Sequence, residues 1–429
     1  MIETMKKISW GSGFFLILIL IGLPSMVQAD LGNILSKFQP SISIVEEYND
    51  NIDLTPKNRI DDFITTIYPG LRFSAKEAKY GMDLDYRPGF VFYSKETDRN
   101  YISQAGNLNA WYTLGRRLTF RVRDYLIRSE EPREQEFIPG ALPDQFILGT
   151  QRVRAIYLRN VFEPSIDYQF GKDRNISLNY RSNIYRNQSS LFQNSREDFF
   201  NPRLTYWFNI RNGISLEYGL TLGDFERSPD LTGQMAMGRY TYRFNPRTSI
   251  FGDVALLRRD FKRPSIDYDV YRPSLGLSHA FSPTLSGSLQ LGYFWQNPSK
   301  GSSTGGLSYD AKLSQRTQKT TYTLLFQGGY NEDYFTAENL GFSKYHRVIG
   351  TVNHQLRERL SVGLSSSLER AKFSSGQLDR IWGVRGDASY RVLKWLTISL
   401  EASHRETRSN IDIRDYKENR GIFKVTASF

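Results

Sequence analysis

His279, His346, His354 and His404 are the four histidines of this sequence, and no two of them stand at a spacing that would hold a metal ion. Glu401 and His404 fall on opposite faces of one extended strand, so they make no acid–base pair. There is no cysteine, hence no thiolate ligand, disulfide framework or cysteine nucleophile. A G-x-S-x-G elbow, a P-loop and a G-x-G-x-x-G turn are likewise missing. The residues give no reason to expect an enzyme, a bound metal or a cofactor.

The chemistry that remains is charge. Lys and Arg number 56 against 45 Asp and Glu, for a formal net charge of +11. Arg121, Arg123, Arg152, Arg154, Arg181, Arg203, Arg239, Arg243, Arg385 and Arg405, with Lys312 and Lys424, fall on the polar side of alternating stretches. Asp83, Asp85, Glu217, Asp253, Asp310, Glu369 and Glu401 share that side and are fewer. On the wall of an aqueous pore, such an excess of basic groups favours anions. The plainer alternative is that each arginine pairs with an acid on the next strand and stiffens the sheet. The basic residues are spread along the chain without forming a patch, which argues against nucleic acid as a partner.

The elements that must position these residues are strands. "ISLNYRSNI" sets Ile176, Leu178, Tyr180 and Ile184 against Ser177, Asn179, Arg181 and Asn183. "ISLEYGLTLG", "LSVGLSSSL" and "LTISLEASH" repeat the pattern from Ile214, Leu360 and Leu396. A period of two sustained over the chain specifies β-structure. Tight turns near Glu77, Gly115, Asp173, Asn212, Pro246, Pro283, Gln318, Arg357 and Leu393 alternate with longer polar loops. Nine turns with both flanks, plus two terminal strands, predict an all-β, transmembrane, antiparallel up-and-down barrel of about 20 strands (roughly 18–20). Its short turns would be periplasmic and its longer loops external. A soluble sandwich would leave edges to protect, which closure removes. Aromatics cluster beside the turns (Trp111 and Tyr112, Tyr206 to Phe208, Tyr240, Tyr242, Phe244, Trp395), as an interfacial girdle would.

Lys6 and Lys7, the apolar run 13–23 and small Ala29 predict a secretory signal peptide over 1–29, cleaved before Asp30. A short periplasmic segment, 30–40, then leads into a barrel over 41–429. The cell outer membrane of a Gram-negative bacterium is the expected location, with outer-membrane lipid as solvent. The stretch from Ser129 to Thr150 carries Glu130, Glu131, Glu134, Glu136 and Asp144 among apolar pieces. As the third external loop it could fold inward and constrict the channel against the arginine wall, or remain an ordinary surface loop.

The last residues, "GIFKVTASF", place Phe423, Val425 and Phe429 on one face of a strand. This ending resembles the C-terminal signature that the barrel-assembly machinery recognises in bacterial outer-membrane proteins, and it predicts that Phe429 closes the last strand against the first. The hairpin 41–74 is similar to that of the β-barrel porins often encoded beside exopolysaccharide and exosortase gene clusters. The matching residues are "EEYNDNID" (Glu46 to Asp53), Asp61 and Asp62, and Pro69 and Gly70. The resemblance implies a channel for an exported polysaccharide, served by a separate periplasmic polysaccharide-export protein, and a basic lining would suit an acidic one. A general porin for small polar solutes and a plugged structural or adhesive barrel are the alternatives.

Overall fold

A computed structural model describes residues 36–131, 154–262 and 264–429. The signal-peptide assignment, Arg152, and Glu134, Glu136 and Asp144 of the third loop lie outside the described residues. Twenty strands follow one another: β1 (Phe38–Asn49), β2 (Asp62–Lys76), β3 (Tyr80–Tyr93), β4 (Tyr101–Leu114), β5 (Leu118–Ser129), β6 (Tyr157–Gly171) and β7 (Arg174–Asn187). Next come β8 (Ser195–Trp207), β9 (Asn212–Phe225), β10 (Leu231–Asn245), β11 (Thr248–Phe261), β12 (Tyr268–Ala280), β13 (Leu285–Pro298) and β14 (Thr304–Arg316). The ring ends with β15 (Thr320–Asp333), β16 (Gly341–Arg357), β17 (Leu360–Phe373), β18 (Leu378–Arg391), β19 (Leu396–Ser409) and β20 (Tyr416–Ser428). Each strand pairs antiparallel with the next, and β20 pairs with β1 over Ser41↔Ser428 to Asn49↔Arg420. The expected barrel of about 20 strands is therefore a closed, up-and-down ring of 20. Strand β1 begins at Phe38, inside the segment assigned to the periplasm.

Closure satisfies every ladder without an edge, the condition for crossing lipid with strands. The apolar face of the sheet points outward: Ile42, Ile44, Leu71, Leu216, Leu256, Leu289, Leu364 and Leu400 are all exposed. These residues would be costly in water and are at home in hydrocarbon. All nine connections at the end that carries both termini are two to four residues long. At the other end the connections run from four to twelve residues, apart from 130–156. By the rule for outer-membrane barrels, the first end is periplasmic and the second external. Strands of 12 to 17 residues exceed the ~10 needed to span, so the ladders continue past the lipid.

A strand's pleat allows only one residue of an adjacent pair to face lipid. Tyr112, Tyr206 and Phe208 take the outside at the periplasmic end, whereas Trp111 and Trp207 turn into the lumen. Trp111 is paired with Arg121, and Trp207 lies against Gly213. These two tryptophans therefore leave the girdle in which the sequence pattern placed them. Phe429 does lie at the closing strands: its N–H donates to the Pro40 carbonyl at 2.9 Å, and its ring stacks on Trp395 at 6.0 Å. Phe423 and Val425 are paired with Glu46 and Ile44 of β1.

Candidate functional site: the lumen wall and its external mouth

The inner face can be identified from side chains that meet across the ring. Tyr157 of β6 and Tyr185 of β7 pack with Ala337 of the β15–β16 loop, almost half-way round the ring of strands. Alternation then puts Glu163 and Asp167 of β6 on the same inner face, with their partners Arg123 and Arg121 of β5. The pairs run round the wall: Arg123–Glu163 at 3.1 Å, Arg181–Glu197 at 2.6 Å, Arg203–Glu217 at 2.7 Å, Arg239–Asp253 at 2.8 Å and Arg385–Glu401 at 2.9 Å, besides Arg121–Asp167. Six of the ten predicted arginines thus make the cross-strand pair that was the plainer alternative. They share the inner face all the same, and Arg121, Arg123, Arg203 and Arg385 keep 46–51% of their side-chain surface open. Arg405 shares the inner face of β19 with Glu401.

Three of these arginines also lie over aromatic rings. The Arg243 guanidinium is 3.5 Å from the centre of the Trp207 ring, Arg239 is 4.3 Å from Phe251, and Arg181 is 4.9 Å from Phe199. Each ring in turn lies on a glycine of the neighbouring strand. A Cβ on Gly213 would stand 2.6 Å from Trp207, one on Gly276 2.1 Å from Phe251, and one on Gly219 2.9 Å from Phe199. The missing side chain lets the ring lie flat on the wall, and the guanidinium finds its negative face. Sequence reasoning listed the arginines and missed the rings. The signal was present, since aromatic and glycine alternate on facing strands, but it needs the register to be read.

Arg154 has a different setting from the other arginines. Its side chain is only 4% exposed at the external end. Nε donates to the Ile52 carbonyl at 2.7 Å and Nη1 to the Tyr93 hydroxyl at 3.0 Å. Glu130 and Glu131, the described acids of the third loop, lie 3.9 and 3.7 Å from its guanidinium. Burial holds the Glu130 carboxyl above its ordinary range, with Tyr93 and Arg154 pulling it back. The base of the third loop therefore meets Arg154 at the mouth, and not Arg121 lower on the wall.

The external end is drawn together by short loops. In the β15–β16 loop, 334–340, Thr336 and Ala337 are buried. Phe335 stacks on Phe225 at the end of β9, 5.2 Å between ring centres, in the space left by Gly223. Glu338 pairs with Arg414 of the β19–β20 loop, and Asn339 Nδ2 donates to Ser228 Oγ at 3.2 Å. Phe192 of the β7–β8 loop completes the cluster with Tyr157 and Tyr185. Ile52 of the β1–β2 loop packs with Ile64, Val91 and Tyr93, while Arg99 holds Asp53 through two bonds of 2.6 and 2.9 Å. The loops cross the lumen at one end, and the charged wall opens toward the other.

The "EEYNDNID" stretch proves to be the seam of the barrel. Arg420 of β20 grips Glu47 with bonds of 3.0 and 2.7 Å, and Asn49 Nδ2 donates to Glu418 at 2.8 Å. The Asn419 N–H donates to Asp50 at 2.7 Å, and Asn51 Nδ2 to the Lys417 carbonyl at 2.9 Å. Asp62, fully buried, accepts the backbone N–H groups of Phe63, Ser94, Lys95 and Glu96 and so fixes the next loop.

Among the described residues, no three His, Asp or Glu side chains are placed to hold a metal ion. No helix among them is long and apolar enough to cross a membrane, which says nothing against crossing by strands.

The fold is shared with solved outer-membrane barrels of Pseudomonas aeruginosa. The siderophore receptor PirA aligns over 92% of this chain and 80% of its own, at 8% identity and a TM-score of 0.52. A mutant of the ferric enterobactin receptor PfeA aligns over the same shares at 8% identity and 0.51. The outer membrane protein OpdK covers 92% of this chain and 99% of its own, at 11% identity and 0.44. No curated protein matches the sequence. Residues 226–429, which contain all of β10 to β20, match the family model described as "Putative beta-barrel porin 2"; the hairpin 41–74 lies outside that match. Over this C-terminal stretch, a little under half of the chain, the sequence is similar to that family of β-barrel porins.

Proposed function

We propose that this porin passes an exported polysaccharide, acidic in at least some of its sugars, through a lumen that the external loops hold narrow. The observation that carries this reading is the repeated stack of arginine on ring on glycine along the inner wall. Flat aromatic faces offer surface to the apolar side of a pyranose, and guanidinium groups beside them offer donors to carboxylates and hydroxyls. The lumenal pairs leave Arg121, Arg123, Arg203 and Arg385 about half open, so a passing anion can share a guanidinium without stripping it from its acid. The likeness of the hairpin 41–74 to porins of exopolysaccharide clusters supports the same cargo. A periplasmic polysaccharide-export protein would deliver it, and the assembly machinery would read the β20 face that bears Phe423, Val425 and Phe429.

The test is conductance of the refolded barrel in a planar bilayer. An acidic oligosaccharide added to the periplasmic side reduces the current in a concentration-dependent way, and a neutral one of equal length does so several-fold less well. In the Trp207→Ala, Arg243→Gln double variant the block weakens about tenfold. Equal block by both sugars, or none, would sink the acidic cargo and leave a general porin for small polar solutes.

A second reading, a plugged barrel that binds through its loops, is favoured by the contacts across the mouth. It requires that a folded barrel be electrically silent. For the third loop, deletion of 132–144 raises conductance if that segment narrows the channel; an unchanged value makes it an external surface loop.

A further inference from the structure

The outer face carries a row of basic side chains in which Arg370, Lys372 and Arg380 have no acid to answer them among the described residues. His346 of β16 is paired with Arg370 of β17, Arg370 with Arg380 of β18, and Arg380 with Arg408 of β19. One rung nearer the loops, Lys344 stands opposite Lys372. Adjacent strands lie about 5 Å apart, and like charges directly opposite destabilise a sheet. Arg370, Lys372, Arg380 and Arg408 are all exposed. Glu406, the acid on this face, is engaged by Arg408 at 2.5 Å and Lys417 at 3.5 Å. Glu369 and Asp379, on the same strands, fall on the lumenal face. Among the described residues no ion pair is made by Arg370, Lys372 or Arg380.

Several other outward cations at this end have partners. Arg196 has Asp198 at 2.9 Å, Arg258 has Asp260 at 3.0 Å, and Lys262 has Asp230 at 2.6 Å. Arg128 of β5 and Arg186 of β7 also make no ion pair among the described residues, but Leu158 stands between them, whereas on β16–β19 the cations are directly opposed. The depth of the row is informative too. Leu364, Leu368 and Trp382 stand exposed on the periplasmic side of the row, so the cations lie just above the hydrocarbon, beside an interfacial tryptophan. His346 is backed by the Tyr309 ring, whose hydroxyl is 3.0 Å from its Nδ1.

We propose that Arg370, Lys372 and Arg380 bind the phosphate groups of an anionic glycolipid in the outer leaflet, with Leu368 and Trp382 against its acyl chains. A doubly phosphorylated headgroup supplies the missing negative charge at the right depth, and it turns an unfavourable row of cations into charge-assisted hydrogen bonds. Solute in the lumen does not reach this face, so the site is independent of the cargo.

The experiment uses the full-length barrel in neutral detergent, with native mass spectrometry to count bound lipid. The probes are bisphosphorylated lipid A and the same lipid with its phosphates removed. The expected result is a preference of about tenfold or more for the phosphorylated form. Arg370→Gln with Arg380→Gln abolishes that preference, and Arg258→Gln on the paired face leaves it intact. Because the double variant removes repulsion, it also raises the thermal midpoint of the lipid-free barrel and lowers the gain on adding lipid A. Equal binding of the two lipids, or an unchanged preference in the double variant, overturns the proposal. Displacement of the lipid by inorganic phosphate at equal concentration would instead make the row a site for free phosphate, and would overturn the assignment to lipid.

Discussion

Replacing residues 335–339 by two glycines raises single-channel conductance several-fold and leaves the barrel folded. The segment is a loop between complete strands, and short surface connections tolerate such exchange. Its side chains nevertheless make the contacts that span the mouth: Phe335 on Phe225, Ala337 among Tyr157, Tyr185 and Phe192, Glu338 with Arg414, and Asn339 with Ser228. Removing them takes the bridge away from the far wall and leaves the ladders untouched. Arg414→Ala is the milder form. It removes the guanidinium that Arg414 gives to Glu338 and should increase the fraction of time spent in the larger conductance, without altering the largest value. If neither variant conducts more than the parent, the loop contacts are not what limits flow, and a constriction must be sought elsewhere along the wall.

Arg420→Ala weakens the closed ring by about 3 kcal/mol, the lower end of what removing one partner of a largely buried ion pair costs. Arg420 and Glu47 retain only 18% and 12% of their side-chain exposure, and Glu131 lies 3.8 Å from the same guanidinium. Truncation takes the guanidinium from Glu47 at the β1–β20 seam, the one ladder that joins the two ends of the chain, while Glu131 keeps Arg154 at 3.7 Å. Arg420→Lys keeps the charge but loses the paired hydrogen bonds to Glu47, and falls between Arg420→Ala and the parent. The readout is the urea midpoint in lipid vesicles, followed by the heat-dependent gel mobility that distinguishes closed from unfolded barrels. A control substitution at Arg203, whose partner lies within one hairpin and whose side chain is 46% exposed, should move the midpoint far less. Equal shifts at Arg420 and Arg203 would mean that the seam holds no special share of the stability.

Much of this molecule is legible from local pattern. The period of two, the nine tight turns and the apolar–polar division of the strands determine a closed antiparallel sheet with lipid outside, because each depends on neighbours two or three residues apart. The same pattern assigns Arg121, Arg181, Arg239 and Arg385 to the polar face, which the ring turns into the lumen. What alternation leaves open is which acid each arginine meets, since that depends on register between strands. The pleat decides that Trp111 and Trp207 face inward, and register that three rings rest on glycines. The mouth is more remote from sequence still. Ala337, Phe192 and Tyr157 are far apart in the chain and have no pattern in common; only closing the ring of 20 brings them together. The row Arg370, Arg380 and Arg408 belongs to the same class. Each residue reads as an ordinary exposed arginine in its own strand, and the repulsion that gives the row meaning exists only when three strands are laid side by side.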